Sequence, residues 1–241
     1  MARGNFKIKT IGVSGQKKNE ETDLLGDKVL GYVYHVDTDM LGVSFPVNLS
    51  RKKRSVRVEP NLTLEDVDGL KSRTLTKRIL LGVTNGFGDF LGIASPFTVR
   101  FKVMMRELFL MEEPLTWDEA VPEWIKDNFV KLIVEALEAG SLAFPRCTRP
   151  ADAVPGVGPT VVGFSDFGKM AYDARVYLRW PLQGDGDVYA SCLIMCKARV
   201  LPLRGLTVPR GELTALTLHS RLLLTDIIAL QKLCTSPVSC V

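Results

Sequence analysis

Histidine and paired cysteine are scarce in this chain. It holds two histidines, His35 and His219, and five cysteines with no Cys-x-x-Cys spacing. Zinc sites draw on closely spaced Cys and His ligands, and a disulfide framework draws on an even cysteine set, so neither organises this sequence. The cysteines read as plain buried thiols of a reducing compartment, with Cys192 and Cys196 expected on one face of a strand. Long apolar runs are lacking as well. "FVKLIVEALEAG" is cut by Lys131, Glu135 and Glu138, and "RLLLTDIIAL" by Asp226. Both stop short of the ~18 residues that a membrane span needs, so no membrane partner is expected. The opening "MARGNFKIKT" has no apolar core of a secretory signal. The expectation is an intracellular protein, cytoplasmic or nuclear.

What is present is ordinary in amount and uneven in distribution. With 241 residues, 46% hydrophobic and 24% charged, the chain can bury one or two cores. The net charge of +4 conceals a basic segment. Between Arg51 and Arg106 lie twelve Lys and Arg against five acidic residues, which leaves the rest of the chain net acidic. The run "RKKRSVR" and the pair Lys77–Arg78 suit phosphates, because Lys and Arg release counterions from a nucleic-acid backbone whatever its sequence. Arg51, Lys52, Lys53, Arg54, Lys77 and Arg78 are therefore the candidate nucleic-acid contacts; a solvated basic loop is the competing reading of the run.

Periodicity divides the chain near residue 150. "KVLGYVYHV" and "LGVSFPVNL" flank the polar "DTD" and read as a hairpin. Helical spacing follows on both sides of a glycine-rich break at 86–92, with Pro96 opening the second helix. A further helix runs from Pro122 to Gly140, with Trp124, Ile125, Phe129, Leu132, Ile133, Ala136 and Leu137 on its apolar stripe. The Pro- and Gly-rich stretch around 150 separates residues 1–150 from 151–241. Beyond it the period becomes two, giving three strands, "VVGFSDFG", "ARVYLRW" and "VYASCLIMCKARV", in an antiparallel meander. Ala174, Val176, Leu178 and Trp180 fall on one face of the middle strand. A long helix over 210–233 follows, with Glu212 in its first turn, and "SPVSCV" reads as the opening of a fourth strand. The fold class is α+β.

Two acids stand at the ends of these elements, Asp166 on the first strand of the meander and Glu212 at the head of the helix. Paired acids suit Mg²⁺, which takes oxygen ligands in an octahedron, and two-metal sites clamp the attacking and leaving oxygens of a phosphodiester. A turn-capping Asp166 and a Glu212 that complements the helix dipole remain the structural alternative.

Several stretches resemble the Pol polyprotein of Pao/BEL-type LTR retrotransposons. They are "TKRILLGVTNGFGDFLGIASPFTVRFKVMMREL", "LTWDEAVP", "GFSDFGKMAYDARVYLR" and "CKARVLPLRGLTVPRGEL", in the family's order. The resemblance implies that residues 1–150 correspond to the end of a reverse transcriptase, a hairpin with thumb- and connection-like helices. Residues 151–241 would be a truncated ribonuclease H-like domain of three antiparallel strands and a helix. By the same motif match, Asp166 and Glu212 would be the first two of four acids that bind two Mg²⁺ ions. The implied role is in copying RNA into DNA, with RNA–DNA hybrid and the remaining Pol polyprotein domains as partners. A non-enzymatic nucleic-acid-binding or interaction module derived from such an element is the alternative.

The departures from the pattern are specific. Phe167 and Gly168 stand where the family has small residues after the aspartate, Asp173 stands for a Gly, and Gly211 replaces a large apolar residue. A third acid would fall just past Val241, so the chain is expected to be inactive alone. Tyr-x-Asp-Asp does not occur, and neither does the Asp-Thr/Ser-Gly loop of an aspartic peptidase.

Overall fold

The computed structural model describes residues 28–29, 31–43, 45, 47–49, 52–53, 56–57, 61–140, 142–184, 186–233 and 239–240. The expected hairpin is present: β2 (Tyr32–His35) pairs antiparallel with β3 (Met40–Val43), turning through 36–39. β1 (Lys28–Val29) flanks β2, and β6 (Ala143–Pro145) returns along β3, closing a four-stranded sheet. Asp39 takes a left-handed backbone in the turn, with φ 54°. Its carboxylate accepts from the Tyr34 hydroxyl at 2.7 Å and from Arg146 Nε at 2.6 Å, which ties turn and returning strand together. β4 (Lys52–Lys53) and β5 (Val56–Arg57) pair as a short ribbon within the basic run.

The helical middle comprises a single 3₁₀ turn (Leu64–Asp66), α1 (Val67–Leu70), α2 (Lys77–Thr84), α3 (Ser95–Phe109) and α4 (Glu123–Ala139). Thr76 caps α2 by accepting from Ile79 N–H, which satisfies one of the orphan donors of the first turn. Pro96 sits in the first turn of α3, where its missing N–H costs nothing. Phe101, Leu108, Ile125, Phe129 and Ile133 are fully buried at the crossing of α3 and α4. Trp124, expected on the buried stripe of α4, is instead 50% exposed. It is the second residue of the helix and lies a step round from Ile125, whose row Phe129 and Leu132 continue into the core.

β7 (Thr160–Phe167), β8 (Ala171–Pro181) and β9 (Tyr189–Val200) form the expected meander. α5 (Val208–Leu233) covers one face, and β10 (Ser239–Cys240) pairs parallel with β7. The sheet order is β10-β7-β8-β9. Ala174, Val176, Leu178 and Trp180 are buried against α5 through Leu218 and Leu222, as the alternation required. α5 begins at Val208, so Glu212 lies beyond its first turn. Pro209 is its second residue, and the helix starts two residues ahead of the expected 210.

Two further expectations are corrected. β9 carries an extra residue: Val176 pairs with Met195 and Tyr177 with Leu193, leaving Ile194 as a bulge. One inserted residue reverses the alternation. Cys192 consequently shares the α5 face with Leu178, while Cys196 shares the opposite face with Arg175. Also, Val208–Leu230 is long and apolar enough to cross a membrane by length and composition, with mean hydropathy 1.4. Asp226 is the one acid within the run's second half and does not offset the leucines around it. Here the helix packs one face on the sheet, with Leu213, Leu216, Leu224 and Ile228 exposed on the other.

Candidate functional site

The second face of the sheet meets the helical middle. Cys196 N–H donates to Leu91 O at 2.8 Å, and Gly92 (φ 77°) lies so close that a Cβ there would come within 1.8 Å of Cys196 O. Only glycine allows that approach. Arg106 of α3 donates from Nε to Leu201 O at 2.9 Å and from Nη2 to Pro202 O at 3.0 Å. Asp89 secures the same segment: it accepts from Tyr32 hydroxyl at 2.6 Å and from Ala94 N–H at 2.9 Å. Burial and the Asp89 carboxylate push the Tyr32 hydroxyl well above its ordinary pKa, so it stays a donor.

Asp166 lies at the end of β7 and is exposed. Its Oδ1 accepts from the Phe167 N–H at 2.9 Å, the local bond of a turn-forming aspartate. Across the ladder it faces Asp173. Two carboxylates directly opposite repel. Arg175 relieves this by gripping Asp173 from Nε and Nη2 at 2.7–3.1 Å. Asp166, Asp173 and Arg175 thus occupy the face turned away from α5.

The α5 face of β7 is taken by its odd-numbered residues. Gly163 lies against His219, and Phe167 lies against Gly211, where a Cβ would meet the ring at 2.1 Å. Glu212, the next residue, is exposed. The fold therefore brings the two acids to the same end of sheet and helix, beside the Phe167–Gly211 contact. Asp166 points away from the helix that carries Glu212. No group of three or more His, Cys, Asp or Glu able to hold a metal ion occurs among the described residues. As arranged, Asp166 and Glu212 do not fit the shared two-ion Mg²⁺ site that the resemblance implies.

The basic candidates separate. Arg51 and Arg54 lie outside the described residues, and Lys52 and Lys53 are placed by their backbone in β4. Lys77 is buried, its Nζ donating to Leu115 O at 2.9 Å and standing 4.4 Å from the Phe109 ring centroid. Such a lysine offers nothing to a phosphate. Arg78 is exposed but holds Asp118 in a two-bond pair at 2.9 and 3.0 Å. Three cations with no carboxylate partner among the described residues, Lys102, Lys197 and Arg199, line a polar cavity along the outer edge of β9. No sequence signal joined them, since they come from two segments almost a hundred residues apart.

Residues 76–238 match the family model described as Pao retrotransposon-like RNaseH-like domain, and the chain belongs to this family. The match begins at the cap of α2 and runs through residue 150 to the edge of β10. No curated protein and no solved structure matches the chain.

Proposed function

We propose that this chain is the part of a retrotransposon Pol polyprotein that holds RNA–DNA hybrid while RNA is copied into DNA, and that it binds without cutting. The family match over 76–238 carries the reading, and the sheet order β10-β7-β8-β9 under a covering helix accords with it. On this proposal residues 1–150 serve as a reverse transcriptase terminus and 151–241 as the ribonuclease H-like part. The remaining Pol domains are the partners, and the setting is cytoplasmic or nuclear. Asp166 and Glu212 are the proposed positions of the family's Mg²⁺ ligands. Asp166 faces away from the helix that carries Glu212, and two carboxylates could hold at most one ion that keeps most of its waters.

The test is a labelled hybrid incubated with the full chain and Mg²⁺. Retention of the hybrid with no cleavage is expected. Cleavage that Asp166→Asn abolishes would overturn the inactive reading, and absence of binding would overturn the whole. The Phe167–Gly211 contact favours one second reading, a non-enzymatic nucleic-acid module derived from such an element, because a large ring fills the sheet–helix contact next to both acids in sequence.

A further inference from the structure

Two neighbouring cavities in the seam between the helical middle and β9 share part of their lining. The first, of about 290 Å³, is walled by Phe90, Lys102, Lys197 and Arg199. The second, of about 700 Å³, has an apolar floor with Phe109 and Tyr172 and includes Arg106. Thr84 and Lys102 line both, so the two lie side by side as one trough along α2 and α3. We infer that this trough binds a single strand of nucleic acid, with phosphates on Lys102, Lys197 and Arg199 and bases stacked on Phe90 and Phe109.

Three observations converge on that ligand. Lys102, Lys197 and Arg199 are exposed, and among the described residues no carboxylate pairs with them. The one acid in the polar cavity, Asp89, has both oxygens engaged by Tyr32 and Ala94. Phe90 is 65% exposed and Phe109 48%, so each trough segment presents a ring to solvent. Cations that follow a backbone, together with rings that take base faces, are the combination by which proteins hold single strands without reading sequence. A duplex keeps its base faces stacked inside, so it would satisfy the cations and leave the rings bare. An acidic peptide would also meet the cations, but it brings no flat π-face for the two rings.

The inference rests on the nucleic-acid reading above but concerns a different surface from Asp166 and Glu212. The experiment is fluorescence anisotropy with a labelled 20-nucleotide oligo(dT) and a hybrid of equal length, on the full chain at two salt concentrations. Replacing Lys102, Lys197 and Arg199 together by Glu should weaken oligo(dT) binding at least tenfold. It should also lower the salt slope by about 2, at ~0.7 per phosphate contact on a single strand. Phe90→Ala should weaken oligo(dT) binding roughly fivefold or more, the effect of losing one stacked base, and leave hybrid binding unchanged. Circular dichroism on each variant checks that the fold is kept. If the hybrid binds and neither set changes oligo(dT) binding, the trough is overturned and the broader reading stands. If poly-glutamate displaces oligo(dT) at equal charge and Phe90→Ala has no effect, the ligand is an acidic protein segment and the inference fails. If neither oligonucleotide binds, both readings fall.

Discussion

Phe167 and Gly211 are fitted to one another across the sheet–helix contact: a Cβ on Gly211 would come within 2.1 Å of the Phe167 ring. One is a large ring and the other has no side chain. Together they conserve volume at one place. Gly211→Ala would ordinarily help a helix interior by about 1 kcal/mol. Here it should destabilise by about 1–3 kcal/mol through overpacking, since the ring is held between strand and helix. The double variant with Phe167→Ala should recover most of the loss. Urea unfolding of the four proteins of this cycle measures the coupling, and additive effects would show that the two residues are independent.

Asp226 is buried on the sheet-facing side of α5, and one carboxylate oxygen has no partner. Burial pushes its pKa from the ordinary 3.8 up to about 6. Because the folded value is the higher one, the folded chain binds the extra proton between those limits. No cost is felt below pH 3.8; it grows as pH rises through 6 and stays complete above, at about 3 kcal/mol. Asp226→Leu should therefore raise stability at pH 7.5 and shrink the difference between pH 4.5 and 7.5. Denaturant midpoints at the two pH values check this.

Oxidation should not join Cys192 to Cys196. The bulge at Ile194 turns them to opposite faces, and no disulfide spans a sheet. Burial also raises both thiol pKa values, which slows attack. Mild oxidant followed by peptide mapping should return the two thiols unlinked to each other. Deleting Ile194 should not change this, because Cys192 stays opposite Leu178 and Cys196 opposite Arg175, three regular positions apart.

Lys77→Met should leave nucleic-acid binding unchanged while costing about 1–2 kcal/mol of stability. The ammonium's bond to Leu115 O and its place over Phe109 serve the packing of α2. A drop in oligonucleotide affinity without a drop in thermal stability would contradict this.

The elements were legible where one period governed them. Alternation located β8 and its buried row Ala174 to Trp180, and helical spacing located α4 and α5. The bulge was not legible, because Ile194 sits in an apolar run where one extra residue changes nothing in the pattern. Lys77 was misjudged for a related reason: charge is visible in sequence, but the aromatic cover over it comes from Phe109 and Trp117, more than thirty positions away. The trough was invisible for the same cause, being made wholly of long-range neighbours. Asp166 and Glu212 fall at the end of β7 and near the start of α5, but the side of the strand that Asp166 takes is set by the assembled sheet.

The parallel pairing of β10 with β7 delays the completion of this sheet edge during synthesis. Thr160 emerges from the ribosome 79 residues before its partner Ser239. At ~5–20 residues per second, that edge of β7 waits roughly 4–16 s for its neighbour. Throughout that interval, unpaired N–H and C=O groups border an apolar face that α5 has not yet fully covered. The nascent chain is thus most open to strand exchange with another copy before Ser239 and Cys240 appear, and a chaperone that shields Val161 and Val162 would act in that window.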